Sequence, residues 1–391
     1  MSTLRTNNVQ VGQSPTATNN FTLYQPSVPD GTVRLGVGNT GATTLDAVTV
    51  TSAGNVAVPS LTVNSNNISA VNSLGFRNRI INGNMVIDQR NAGASGTAIA
   101  YTVDRWGYYG SQASKGTWQQ NAGAVTPPTG YTNYLGFTSS SAYSVLTTDQ
   151  FYLYQRIEGF NTADLNFGSA SATSVTLSFW VRSSLTGTFG GFLTNSSANR
   201  AYPFSYTISA ANIWEQKTVT VAGDTTGTWL TNNGIGIGVG FNLGTGATYS
   251  ATANAWTGTS FVTAPTGATS VVGTNGATFY ITGVQLEAGT VASAFEQIDY
   301  GRELIMCQRY YQTGTMRFGG FATAAIGFQL NSTLPVVMRA TPTVTNSGQT
   351  NAGCSGSAVA AVDAATVQLT ATTSSGPGYI SGSNYAASIE L

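Results

Sequence analysis

Residues 174–182 read SVTLSFWVR. In an extended chain successive side chains point to opposite faces. Val175, Leu177, Phe179 and Val181 then share one side, and Thr176, Ser178 and Trp180 the other. The same period of two recurs at 134–137, 151–157, 204–208, 215–221, 234–241 and 277–286, with turn residues between. Composition disfavours the main competitor. Charged residues are 8% of the chain, against about 25% in ordinary domains, and long helices want Leu, Glu, Lys and Arg. A content of 41% hydrophobic and 10% aromatic residues argues against wholesale disorder. The fold class expected is all-β, with a β-sandwich at its centre.

Two stretches would open and close that sandwich. Residues 76–106 carry Ile80, Ile81, Met85 and Ile87 in a strand-like run, then a small-residue loop at 91–98, then Tyr101 to Trp106. Residues 278–311 carry Phe279, Ile281, Val284 and Leu286, with a slip at Gly283 of the kind a β-bulge makes. The first and last strands are expected to pair. Residues 296–311 are the one helix-like piece, weakened by Gly301, and 317–391 form a second β unit. The run GIGIGVGF at 234–241 superficially looks like a phosphate-binding loop. It lacks the following helix, so it reads as a strand whose glycine face is closely covered.

Several functions are excluded early. The chain has no histidine, which removes the commonest general base and metal ligand. A Ser-His-Asp triad, a His-ligated zinc hydrolase and a Cys-His protease cannot be built from it. Cys307 and Cys354 are too few for a disulfide framework and are taken as free thiols. Net charge is zero without a basic stripe, so no nucleic-acid partner is expected. No apolar run approaches a membrane span, so no membrane insertion is expected. The start, MSTLRTNNVQ, has no apolar signal-peptide core. The 15 carboxylates are scattered with no evident catalytic pair, and no calcium-loop pattern occurs. No catalytic residue, metal site or cofactor is therefore expected, with a structural Ca²⁺ on Asp and Asn oxygens as the alternative.

Sugar rings present apolar C–H faces that stack on aromatic planes. Trp229, in DTTGTWLTNNG, and Trp256, in TANAWTGTS, sit in polar, loop-like settings. With Tyr249, Trp118 and Tyr108 they are the candidate carbohydrate-binding residues. The competing reading of any one of them is ordinary packing. Asp104 and Arg105 read as an ion pair that fixes a strand, with ligand binding as the alternative.

The N-terminal part has two characters. In residues 1–42, Phe21, Leu23 and Tyr24 lie among polar residues and prolines, as in an arm that docks on another protein and orders on binding. In residues 43–74, Val48, Val50, Val56, Val58, Leu61 and Val63 alternate with small polar residues. Strands so short cannot bury those edges alone, but copies in other subunits can. An oligomerisation shaft is expected, with a flexible linker as the alternative.

The motifs NGNMVIDQR (82–90), YTVDRW (101–106) and GVQLEAG followed by ASAFE (283–296) resemble bacteriophage tail-fibre proteins with a carbohydrate-binding-module-like jelly roll. RELIMCQRYY (302–311) and VMRATPTV (337–344) are similar to the segment after that jelly roll. The resemblance covers roughly residues 76–344. It implies a jelly-roll head at 75–300, a connecting helix and β tip at 301–391, and a homotrimer built on the shaft. It also implies attachment to other tail proteins of the virion, binding of host cell-surface polysaccharide, and assembly in the host cytoplasm. In such fibres the Asp-Arg-Trp motif is framework. The alternatives are a virion spacer or decoration protein without receptor binding and, from another class, a glycan depolymerase.

Overall fold

The computed structural model describes residues 8–11, 16, 20–26, 31–39, 42–51, 56–57, 61–63, 66–68, 76–258, 261–322, 325–373 and 376–391. It divides into two units, Met1–Gly75 and Phe76–Leu391, each taken by itself here.

The first unit holds β1 (Asn8–Val11), β2 (Phe21–Tyr24), β3 (Thr32–Asn39), β4 (Ala42–Thr51), β5 (Val56–Ala57), β6 (Leu61–Val63) and β7 (Asn66–Ile68). The first five form one antiparallel sheet in chain order, and β6 pairs with β7. Phe21 lies opposite Val37, Leu23 opposite Leu35, Leu35 opposite Val48, and Val33 opposite Val50. Strand alternation puts all of these on one face. On it Phe21, Leu23, Val33 and Val50 are exposed, and Val48 is half-buried. The expected boundary at residue 42 falls between two strands of this sheet. β3 and β4 pair across it, because both runs are rich in β-branched residues that suit a sheet. Phe21, Leu23 and Tyr24 belong to a strand paired on both sides. The side chains of Val56, Leu61 and Val63, and all of Val58, lie outside the described residues.

The second unit is a two-sheet sandwich with a smaller β part behind it. Its strands are β8 (Ala100–Tyr101), β9 (Gly107–Gly110), β10 (Gly116–Gln120), β11 (Leu135–Ser139), β12 (Gln150–Glu158), β13 (Val175–Ser183), β14 (Gly187–Thr194), β15 (Ala201–Ile208), β16 (Glu215–Val221), β17 (Ile235–Thr245), β18 (Ser250–Ala251), β19 (Ala264–Pro265) and β20 (Thr278–Ala288). One sheet has the order β10-β11-β20-β13-β16 and the other β15-β14-β17-β12-β9-β8. Between them lie Trp106, Phe137, Phe151, Phe179, Phe189, Phe204, Phe241 and Phe279, all fully buried. The alternation expected in β13 is present, with Val175, Leu177, Phe179 and Val181 all inside. The bulge expected at Gly283 is also present. Pairing with β13 steps from Ser178↔Gln285 to Trp180↔Thr282, and Gly283 has φ +60°. A Cβ there would strike the Tyr131 ring within 2.6–2.8 Å.

The expected opening strand is corrected. Residues 81–84 form a turn, with Asn82 at φ 57° and Met85 at φ 60°. The cause is local polar competition. The Asn82 side chain donates to the carbonyls of Ile87 (2.8 Å) and Asp104 (2.9 Å) and accepts from Ile87 N (3.0 Å). The segment still closes on β20, through Arg79 N to Leu286 O and Val284 N to Gly83 O, both 2.9 Å.

Asp104 and Arg105 do not pair with each other, which is a second correction. Arg105 is bonded to Glu390, and Arg90 reaches the same carboxylate at 2.5 Å. Arg105 also lies over the Tyr310 ring, 3.5 Å from its centre. Asp104 accepts instead from Gln89, through the backbone N at 3.2 Å and Nε2 at 2.5 Å. Positive φ at Arg105 (71°) turns consecutive side chains into different partners.

Beyond the sandwich, α1 (Tyr300–Gln308) is capped by Asp299, which accepts from Arg302 N at 3.0 Å. The strands β21 (Tyr311–Ala322), β22 (Gly327–Thr333), β23 (Thr343–Ala352), β24 (Cys354–Ala361), β25 (Thr366–Thr373) and β26 (Gly376–Ser388) make two three-stranded sheets. These have their own small core around Met316, Met338, Val367, Leu369 and Ala387. No division falls at residue 300. Arg309 pairs with Glu158 (2.6 Å), Tyr310 donates to Glu158 (2.7 Å), and Cys307, Tyr310 and Leu391 pack with Ile81 and Ile87. Both cysteines are free.

Candidate functional site

The outer face of the six-stranded sheet holds a groove, and its shape follows from strand parity. In β17, Ile237, Val239, Phe241 and Leu243 enter the core, so Gly236, Gly238 and Gly240 face outward. In β12, Phe151, Leu153 and Ile157 point inward and Tyr152, Tyr154 and Arg156 outward. Register sets Tyr154 opposite Gly240 and Arg156 opposite Gly238, while β14 places Phe192 and Thr194 opposite the same two glycines. The glycines are closely covered, as their pattern suggested. A Cβ on Gly240 would meet the Phe192 ring at 2.3 Å, and one on Gly238 would meet Thr194 Cγ2 at 3.0 Å. Tyr154 leans the other way, over Gly107 of β9. A trough of about 180 Å³ is left between them, edged by Phe261, Asn195 and Ser196.

Aromatic rings build its walls. Tyr109 stacks on Tyr152 (centroids 5.1 Å, 19°). Tyr152 meets Phe192 edge to face (5.2 Å, 86°), and Phe192 meets Phe261 likewise (5.7 Å, 83°). Tyr152 and Phe192 are mostly buried and act as floor, whereas Tyr154, Arg156 and Phe261 are half-buried and open to the trough. Arg156 lies over Tyr154, 5.1 Å from the ring centre, and its Nη1 donates to Leu391 O at 2.6 Å. Burial, reinforced by the neighbouring Tyr154 and Tyr109, pushes the Tyr152 phenol well up, so it stays a neutral donor. The Tyr152 and Tyr154 hydroxyls have no hydrogen-bond partner among the described residues. Asn195 is spent on its loop, donating to Asn199 Oδ1 (2.7 Å) and Thr228 O (3.0 Å).

The sequence candidates fall elsewhere. Trp118 and Tyr108 are corrected to core residues. Tyr108 is 2% exposed and stacked on Phe137 at 5.4 Å, and Trp118 is 4% exposed with its indole N–H on Ala98 O (2.9 Å). Parity turns both inward and leaves no face for a sugar. Trp229 and Trp256 do meet, at 5.4 Å and 81°, with Phe167 edge-on to both and Tyr202 against Trp256 at 5.2 Å. Their indole N–H groups are used internally, on Thr226 O (3.1 Å) and Ala222 O (2.7 Å). The pair pins the loops at one end of the sandwich, beside the Arg200–Asp224 bridge of two 2.7 Å bonds. Tyr249 ends a short turn at 247–249, half-buried, and does not line the groove. Tyr152, Tyr154 and Arg156 were missed, although FYLYQRI at 151–157 carried the signal. It puts Tyr152, Tyr154 and Arg156 on one parity and Phe151, Leu153, Gln155 and Ile157 on the other. No group of three or more potential metal ligands occurs among the described residues.

No protein-family model matches the sequence, and no curated protein matches it significantly. Solved structures similar to the chain include the enzymatically active domain of tailspike protein 4 of bacteriophage CBA120 (10% identity, TM-score 0.30, covering 54% of this chain and 21% of that one). Others are TmCBM61 in complex with β-1,4-galactotriose (10%, 0.28, 55% and 99%) and the family 11 carbohydrate-binding module of Clostridium thermocellum in complex with a β-1,3-1,4-mixed-linked tetrasaccharide (13%, 0.26, 52% and 98%). Likeness of this degree carries no weight for the ligand of this chain.

Proposed function

We propose that this protein binds a glycan in the groove over β12, β14 and β17. The observation that supports the reading is the trough itself. Gly238 leaves room at its base, half-buried Tyr154 and Phe261 offer ring surface, and unpartnered phenols and a guanidinium offer donors. With the tail-fibre-like motifs, the finer reading is a phage tail fibre, a component of the virion tail. Its N-terminal unit would join other tail proteins, copies would meet as a homotrimer through residues 43–74, and the groove would attach the particle to host surface polysaccharide. In this reading the chain binds and does not cleave. The groove lining has no carboxylate, whereas glycoside hydrolysis ordinarily uses two.

Affinity electrophoresis of the full chain through gels holding host envelope polysaccharide tests the reading. Retardation is expected, and Tyr154→Ala should relieve it with the melting temperature nearly unchanged. Retardation that survives Tyr154→Ala and Phe261→Ala would remove the groove as the site.

A further inference from the structure

We propose that the groove takes one sugar unit, the terminal unit of a glycan chain or branch, and not a run of internal units. The inference rests on the groove being the glycan site and names the part of the glycan it reads. The outward glycines of β17 set the length of open floor. A Cβ on Gly236 would strike Thr162 Oγ1 and lie 2.7 Å from Gly159 Cα, so the segment that starts with the turn Gly159–Asn161 covers that position. Gly240 is covered by the Phe192 ring. A Cβ on Gly238, between them, would meet Thr194 alone, at Cγ2 (3.0 Å) and at the carbonyl (3.8 Å). The floor is thus open over one outward position. Past Gly240 the trough ends in rings, where Tyr152 meets Phe192 at 5.2 Å and Phe261 at 6.2 Å. The flanks are held too: Arg156 Nη1 donates to Leu391 O at 2.6 Å, and Thr194 Oγ1 donates to Arg200 O at 3.0 Å. The enclosed volume of about 180 Å³ falls below the roughly 300–1,000 Å³ of sites that bury a drug-sized ligand. An internal unit carries a linkage on either side and needs two ways out along the floor. A terminal unit has one linkage and can leave by the mouth, past Phe261, Asn195 and Ser196. A walled well over one glycine therefore suits the end of a chain, with its ring against Tyr154.

The test uses the full chain and the envelope polysaccharide that retards it, cut by partial acid hydrolysis into fragments graded by length and titrated calorimetrically. Affinity should stay within about threefold from the shortest fragment that binds to the longest, because units beyond the first gain no further floor. Gly238→Ala, which raises the open floor, should weaken every length by the same factor, and so should Tyr154→Ala. Affinity that climbs about tenfold or more over three or four added units, and falls in Tyr154→Ala, would reveal a run of subsites. That result would overturn the proposal and leave the groove standing. Long fragments that keep their affinity in Gly238→Ala while short ones lose it would overturn it too. Should Gly238→Ala lower the melting temperature, the wild-type length series decides alone. If no fragment binds in a way that Tyr154→Ala alters, the groove reading fails and this proposal with it.

Discussion

Single residues carry two predictions. Asp104 is fully buried, and burial pushes its carboxyl up to about 7 against the pull of Gln89 and Arg90, with Glu390 adding to the rise. A carboxyl raised in the folded state holds a proton that the unfolded chain has released. Its stabilising contribution is complete below the ordinary range near 4 and is lost as pH rises through about 7. Glu303, raised by burial, adds the same sign. Burial raises Glu158 as well, but bonds from Arg309 and Tyr310 win and hold it low, so its contribution fades only in acid. The melting temperature should therefore climb between pH 8 and pH 5, and Asp104→Asn should flatten most of that climb in a calorimetric series. The second prediction concerns Gly238. A valine there suits a strand, but its Cβ starts 3.0 Å from Thr194 Cγ2 and its methyls enter the trough. Gly238→Val should abolish glycan retardation while stability moves by no more than about 1 kcal/mol. A large loss of stability would place the glycine row in the service of packing alone.

Among the elements, what was legible in the sequence was whatever depends on parity and local turns. The β13 alternation and the Gly283 bulge are visible because each is encoded within a few residues. The opening strand was misread because Ile80, Ile81, Met85 and Ile87 are apolar for a different reason. They line a turn whose backbone is satisfied by Asn82, and side-chain bonding of that kind leaves no periodic trace. The groove was missed for a related cause. Polar context marked Trp229 and Trp256, yet their N–H groups serve the very loops that made the context polar. The partners of Arg105 were invisible because Glu390 lies 285 residues away. That long-range knot makes its own prediction. Glu390→Ala leaves Arg105, 1% exposed, without its carboxylate. Loss of about 3–5 kcal/mol is expected from such a stranded charge, read by denaturant melts. A change under about 1 kcal/mol would mean that the Tyr310 ring and the Arg156 carbonyl, which Arg105 Nη2 reaches at 2.5 Å, suffice to hold it.

At the scale of the whole molecule, the question is how many copies act together, and the Met1–Gly75 unit bears on it. Its five-stranded sheet turns Phe21, Leu23, Val33 and Val50 to one face, exposed by 36–46%, with Leu35, Val37 and Val48 half-buried between them. Burying one such side chain is worth roughly 1.5–3 kcal/mol. A sheet that leaves several in water gains by meeting a second apolar surface. An identical face on another copy is always present at matching concentration, and closed symmetry lets each copy cover the next. The proposed homotrimer extends this argument to residues 56–63 as well. Sedimentation equilibrium on the full chain should show a trimer at micromolar concentration. Leu23→Lys with Val33→Lys, two charges in the middle of that face, should shift it to monomer while glycan affinity per groove stays constant. Retardation on a surface-bound polysaccharide should then fall far more than solution affinity, because linked grooves bind with avidity and single ones do not. A full-length monomer would remove the shaft and the trimer together. A trimer that withstands both lysines would take the interface off this face, and a chain beginning at Phe76 that stays trimeric would place it in the Phe76–Leu391 unit.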